Sequence, residues 1–131
     1  MRIKHLTKLL VAIDTSGSVD AVQLNQFFAQ IEFIRKSGCE VMLVHADTAV
    51  ARVERFKGLK DHQSVFGRGG TDFDAVIDYL NEYRNEYKAL IYFTDGYASA
   101  PTSIPLGKVL WVFPNNVEVN TNLPGLHCQI N

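Results

Sequence analysis

Leu9-Leu10-Val11-Ala12-Ile13 is an uninterrupted apolar run that stops on Asp14. A strand with one face in water alternates apolar and polar residues. A run with no polar position therefore belongs to a sheet covered on both faces. Thr15-Ser16-Gly17-Ser18 is a short polar turn. Val22, Leu24, Phe27, Phe28, Ile31 and Ile34 then recur at spacings of three and four, the stripe of an amphipathic helix over Val19 to Lys36. Ser18 is its expected N-cap, Asp20 suits the first turn, Arg35 and Lys36 suit the last, and Gly38 suits the left-handed position beyond it. Glu40–His45 holds a second apolar strand, Val41-Met42-Leu43-Val44.

The same alternation continues. Asp47-Thr48 marks a tight turn into a half-exposed strand over Ala49–Phe56, with Ala49, Ala51 and Val53 on one face and Arg52 and Glu54 on the other. So short a connection makes that strand antiparallel to the one before it, at a sheet edge. Lys57 to Gly70 is a glycine-containing loop, either a ligand-binding rim or a long connection. Thr71-Asp72 opens a second helix with Phe73, Val76, Ile77, Leu80 and Tyr83 on its buried side. Ala89–Thr94 is a third apolar strand ending in Asp95-Gly96, Tyr97–Gly107 is loop, and Lys108–Phe113 is a further strand stopped by Pro114. Residues 115–131 form a polar tail in which Leu126–Ile130 is a candidate last strand.

These elements predict one α/β domain over residues 1–131, with its core in 8–114. It would be a doubly wound, mostly parallel, Rossmann-like sheet with one antiparallel edge strand and helices on both faces. The Leu9–Ile13 strand is expected at the centre, with the Val41 and Ala49 strands on one side and the Ala89 and Lys108 strands on the other. The order then reverses between the first strand and Ala89–Thr94, and ligands bind at the carboxyl ends of strands at such a switch point.

The chain's 131 residues suit a single core, and 47% hydrophobic with 21% charged residues is a globular composition. A net charge of −1 argues against nucleic-acid and membrane surfaces. Arg2, Lys4 and Lys8 precede only a five-residue apolar run, short of the roughly 7–15 of an export signal, and nothing approaches the ~18 of a membrane span. A cytoplasmic monomer is the expectation. Cys39 and Cys128 form no CxxC or Cys/His group and read as free thiols, with a disulfide left open.

The topology brings Asp14, Ser16 and Ser18 from the first loop to Asp95 across the switch point, with Thr71 on a loop whose Gly69-Gly70 has no Cβ to prevent close approach. Two carboxylates and three hydroxyls suit a hard cation. Mg²⁺ takes about six oxygens at ~2.0–2.1 Å and keeps some as water. Each residue also has a plainer reading. Ser16 and Ser18 are good helix caps, and Asp14 and Asp95-Gly96 are good turn residues. Thr71 could cap its helix with Asp74 completing a capping box, unless Asp72 caps instead. Tyr97 and His45 could lie near the site but read first as packing, and Trp111 reads as core.

Asp14-Thr15-Ser16-Gly17-Ser18, Gly70-Thr71-Asp72 and Thr94-Asp95-Gly96 resemble the metal-ion-dependent adhesion site of von Willebrand factor A domains. The resemblance spans Leu9 to Phe113. It implies one divalent ion, Mg²⁺ or else Mn²⁺ or Ca²⁺, held by Asp14, Ser16, Ser18, Thr71 and Asp95 and completed by a carboxylate from a protein partner. Val-Ala-Ile-Asp-Thr-Ser-Gly-Ser, Gly-Gly-Thr-Asp-Phe, Tyr-Phe-Thr-Asp-Gly-Tyr and Val-Leu-Trp-Val-Phe are similar to the C-terminal A-like domain of bacterial predicted zinc metallopeptidases. The chain lacks their His-Glu-x-x-His, and His5, His45, His62 and His127 are scattered. By resemblance, such a domain works beside an AAA+ ATPase or a peptidase domain.

Two other classes compete. A haloacid-dehalogenase-type phosphohydrolase also places an aspartate nucleophile after its first strand, but needs an acid two residues on, where this chain has Ser16. Ser16 as an acyl-transfer nucleophile lacks the Gly-x-Ser-x-Gly turn and a placed histidine. The third class is a structural α/β module with an empty site.

Overall fold

A computed structural model describes residues 7–59, 67 and 69–131. The elements in chain order are β1 (Lys8–Asp14), α1 (Ala21–Lys36), β2 (Glu40–Ala46), β3 (Val50–Arg55), α2 (Phe73–Glu82), β4 (Leu90–Phe93), β5 (Val109–Phe113) and β6 (Leu126–Gln129). They form a six-stranded sheet in the order β3-β2-β1-β4-β5-β6. Among the described residues only the β2–β3 pair is antiparallel. The expected arrangement about β1 and the expected antiparallel edge are both present. The tail supplies β6, parallel to β5, with Leu126 opposite Leu110.

The apolar run of β1 is explained by its two neighbours. Leu10 and Ala12 face a core layer built on Phe73, Val76, Ile77 and Leu80 of α2. Val11 and Ile13 face the opposite layer, built on Phe27, Phe28 and Ile31 of α1. The strand is fully buried from Leu10 to Asp14 because a helix covers each side. On the α2 side Trp111 stacks on Tyr92 at 4.8 Å between centroids, and Phe73 meets both rings edge-on.

The first helix starts later than its pattern predicts. Ser18 does not cap it. Asp20 does, accepting from the backbone N–H of Gln23, whose side chain accepts from the Asp20 N–H, a reciprocal capping box. Val22 is 65% exposed rather than buried, and Gln23 and Glu32 take buried positions on this helix. Glu32 is held there by Arg35 and by the Leu59 N–H at 2.8 Å. Gly38 takes the expected left-handed conformation, at φ 102°. In α2 the cap is Asp72, with its side chain on the Asp74 N–H, so Thr71 is free of capping duty. Asp74 completes no capping box; it accepts from Ser103 N–H and Thr102 Oγ1. Tyr83, expected inside, lies at the exposed C-cap of α2.

A register break at His45/Ala46 lets both Val50 and Val53 pack toward the α2 layer, interrupting the simple alternation expected of β3. Residues 94–108 join β4 to β5 without a helix, as expected. Residues 60–66 and 68 of the expected Lys57–Gly70 loop lie outside the described residues. Cys39 and Cys128 are both free thiols.

Candidate functional site

Asp14 ends β1 on the same side as Ala12, toward α2 and β4. Its carboxylate is fully buried. Oδ1 accepts from the Ser16 N–H at 2.9 Å and from Thr71 Oγ1 at 3.4 Å, and Oδ2 accepts from Thr94 Oγ1 at 2.6 Å. Burial pushes the Asp14 carboxyl above its ordinary range; the hydrogen bonds from Ser16 and Thr94 oppose this, and the charge of Asp95 adds to it. A cation beside these groups would relieve both the desolvation and the repulsion.

The other expected residues stand around it. Ser16 is buried, with its hydroxyl 3.1 Å from that of exposed Ser18. Thr71 is half-buried on the approach to α2. Asp95 is 2% exposed at the end of β4. Its Oδ1 accepts from the Tyr97 N–H at 3.1 Å, and its buried Oδ2 has no hydrogen-bond partner among the described residues. Hydrogen bonds link Asp14 to Thr71 and to Ser16, and Ser16 to Ser18, at the carboxyl end of β1, and Asp95 follows the neighbouring β4, where strand order reverses. Tyr97 does not pack: it is 70% exposed. His45 is buried, with Nε2 3.2 Å from Glu54 Oε1, and Trp111 is core.

The glycine-rich loop is pressed against this point. Gly17 N–H donates to the Gly69 carbonyl at 2.9 Å, and Gly69 N–H donates to Asp47 Oδ2 at 3.0 Å. A Cβ on Gly67 would lie 2.5 Å from Thr15 Oγ1, and one on Gly69 would lie 2.8 Å from Asp47 Oδ2, so neither position tolerates a side chain without movement. Of the expected Gly69-Gly70 pair, Gly69 makes this close approach, while a Cβ on Gly70 would lie 3.3 Å from Thr48 Cγ2.

Two residues escaped the sequence reading. Thr94 bridges the halves of the site, donating to Asp14 and accepting from the Gly96 N–H at 3.0 Å. Asp47 anchors the glycine loop, and its carbonyl accepts from the Asp72 N–H at 2.9 Å. Thr94 stood in the quoted motif but read as a strand end, and Asp47 read as a turn residue. Beneath them, the buried Tyr92 hydroxyl has no hydrogen-bond partner among the described residues. Burial, then the charges of Asp14, Asp72 and Asp47, raise its pKa. Among the described residues no group of three or more His, Cys, Asp or Glu side chains is gathered for a metal. Any cation here would rest on two carboxylates and on hydroxyls.

A sheet of this order, wound by a helix on each face and edged by one antiparallel strand, defines a von Willebrand A-like fold. The chain belongs to the family described as VWA-like domain (DUF2201), which matches residues 9–129. An uncharacterised protein of Thermotoga maritima is 32% identical over 102 residues, covering 76% of this chain but 25% of that protein. Among solved structures, proximal thread matrix protein 1 of the mussel byssus superposes with a TM-score of 0.62 at 15% identity, over 86% of this chain and 38% of that one. At that identity the likeness concerns the fold alone. No helix among the described residues is long and apolar enough to cross a membrane.

Proposed function

We propose that this domain is a divalent-cation-dependent docking module, a binding or regulatory part rather than a catalyst. Asp14, Ser16, Ser18, Thr71 and Asp95 would hold one Mg²⁺ or Mn²⁺, whose remaining position takes a carboxylate from a protein partner. The observation that carries this is the buried Asp95 Oδ2. It lacks a hydrogen bond among the described residues and stands across the switch point from a buried Asp14 whose ionised form the fold disfavours. Buried carboxylate oxygens are ordinarily paired. The donor set also fits: all-oxygen ligands with only two charges suit a hard cation and leave room for an anionic ligand.

When bound, the ion supplies a Lewis-acidic anchor for the partner's carboxylate. The chain's own residues do the rest. Thr94 fixes the Asp14 carboxylate at 2.6 Å, the Ser16 N–H orients its other oxygen, and the Gly69–Gly17 hydrogen bond holds the loop carrying Thr71 against the loop carrying the serines. Alignment with only 25% of the Thermotoga protein supports a module that works beside other parts, for which an AAA+ ATPase or a peptidase domain is our proposal.

Calorimetric titration with Mn²⁺ or Mg²⁺ tests the site. Wild type should bind one ion, and Asp14→Ala and Asp95→Ala should each weaken binding at least about tenfold, with folding checked by circular dichroism. Unchanged binding in both folded variants refutes the assignment.

A further inference from the structure

The proposed metal point has a neighbour on the same face. Asp95 also lines an open cleft of about 360 Å³ between the turn that follows β4 and the β5–β6 connection, with Gly96, Tyr97, Glu118, Asn120 and Asn122 around it. Its walls are built. A Cβ on Gly96 would lie 2.9 Å from Phe113 Cε1, so the turn runs hard against the end of β5. Asn120 Oδ1 accepts from the Asn122 N–H at 3.1 Å, and Gln129 Nε2 donates to the Pro114 carbonyl at 3.0 Å, tying the connection to itself and to β6. The Tyr97 N–H is held by Asp95 Oδ1, while the Tyr97 ring is left in solvent.

The chemistry of the lining is one-sided. Among the described residues it holds two carboxylates, Asp95 and Glu118, an exposed aromatic ring and two amide side chains, and no cationic side chain. Such a surface suits a guanidinium, which pairs with a carboxylate and lies over an aromatic face. We infer that this cleft is a specificity subsite for a basic side chain of the partner polypeptide, read next to the acidic side chain that docks at Asp14, Ser16, Ser18, Thr71 and Asp95. This inference rests on the docking reading above and extends it. The partner segment is zwitterionic: an acid for the cation, with an arginine beside it for Glu118 and Tyr97. Arginine on a partner therefore selects among acidic segments that the cation alone would accept equally.

The test uses three fluorescent peptides bearing Arg-Ala-Asp-Ala-Arg, Glu-Ala-Asp-Ala-Glu or Arg-Ala-Asn-Ala-Arg, titrated with the whole chain in Mn²⁺ and in EDTA. The first should bind about fivefold or more tightly than the second, the size of one partly exposed ion pair. The third should not bind, and EDTA should abolish all binding. Glu118→Lys should invert the order of the first two, and Tyr97→Ala should narrow it. Glu82→Lys, an equal charge change on α2 outside the cleft, should leave it alone. An order that survives Glu118→Lys, an order that Glu82→Lys inverts equally, or no difference between the first two peptides overturns the subsite. A parallel calorimetric titration with Mn²⁺ separates the two failures: no Mn²⁺ binding means that the docking reading itself has failed.

Discussion

Asp14→Asn removes the charge of a buried side chain and keeps its shape. An ion withdrawn from water loses several kcal/mol of solvation even after relaxation. Against this stand three hydrogen bonds to the carboxylate. Those from Ser16 and Thr94 are each worth ~1.5–3 kcal/mol to a charged acceptor, and the long one from Thr71 is worth less. The two sides nearly cancel, and the upward displacement of the pKa gives the sign: the fold disfavours the ionised form. In metal-free protein near neutral pH the asparagine should therefore stabilise by on the order of 1 kcal/mol, a rise in Tm of about 3–5 °C for a chain of this size. A carboxyl raised in the folded state contributes fully below its unfolded value near ~3.9, and that contribution is lost as pH rises through the folded value. The two proteins should thus converge at about pH 4 and below, and diverge above it.

With the ion at ~100 times its Kd the wild type should gain ~2.7 kcal/mol, about 8–13 °C, while a variant that binds about tenfold more weakly should gain only ~1.4 kcal/mol. Differential scanning fluorimetry in EDTA and in excess Mg²⁺, across pH, reads both effects. A variant melting well below wild type in EDTA would show that the carboxylate serves the fold as an acceptor. Equal Mg²⁺ shifts in the two proteins would show that it does not hold the ion. Either result refutes the reasoning.

Two further expectations concern the scaffold. Gly125 has a φ of 118°, and a Cβ there would lie 2.5 Å from the Val109 carbonyl oxygen. Gly125→Ala should therefore cost ~2 kcal/mol or more, seen as a lower denaturation midpoint in urea at unchanged m; a loss under ~0.5 kcal/mol would show that this turn does not fix β6. Hydrogen bonding from Arg35 holds the Glu32 carboxyl below its usual range, so its stabilisation is present at neutral pH and lost as pH falls through that depressed value. Glu32→Gln should weaken the fold near neutrality and match wild type in acid; an equal offset at both pH values in urea unfolding would contradict this.

The central strand was legible because both its faces are buried, which leaves no polar position in Leu9–Ile13. The order of strands followed from connection lengths and the handedness of crossovers. The helix start was not, because Ser18 and Asp20 are both good caps. The distinguishing residue was Gln23, three past Asp20, which completes the reciprocal pair. Exposed Val22 shows the limit of periodicity: an apolar residue at the stripe's margin is indistinguishable from one inside it. At the candidate site the placement of Asp14 at the end of β1, and of Ser16, Ser18, Thr71 and Asp95 in the loops beside β1, α2 and β4, was legible because apolar runs stop and helix patterns start around them. Thr94 and Asp47 were not, because their roles depend on contacts with segments distant in the chain.

The crossing from β4 to β5 has no helix of its own, and it borrows its position from α2. Ser103 and Thr102 hang on Asp74, Ser103 Oγ donates to Asp78, and Asn81 Nδ2 donates to the Ile104 carbonyl while its Oδ1 accepts from the Leu106 N–H. Thr71 lies just ahead of the same helix, and Asp95 begins the stretch that the helix holds. Asp14, Ser16 and Ser18 ride instead on β1. The ligands proposed for one ion thus come from β1, from the end of β4 and from the approach to α2, so the helix that anchors this helix-free crossing also carries a proposed ligand, Thr71, just ahead of its cap.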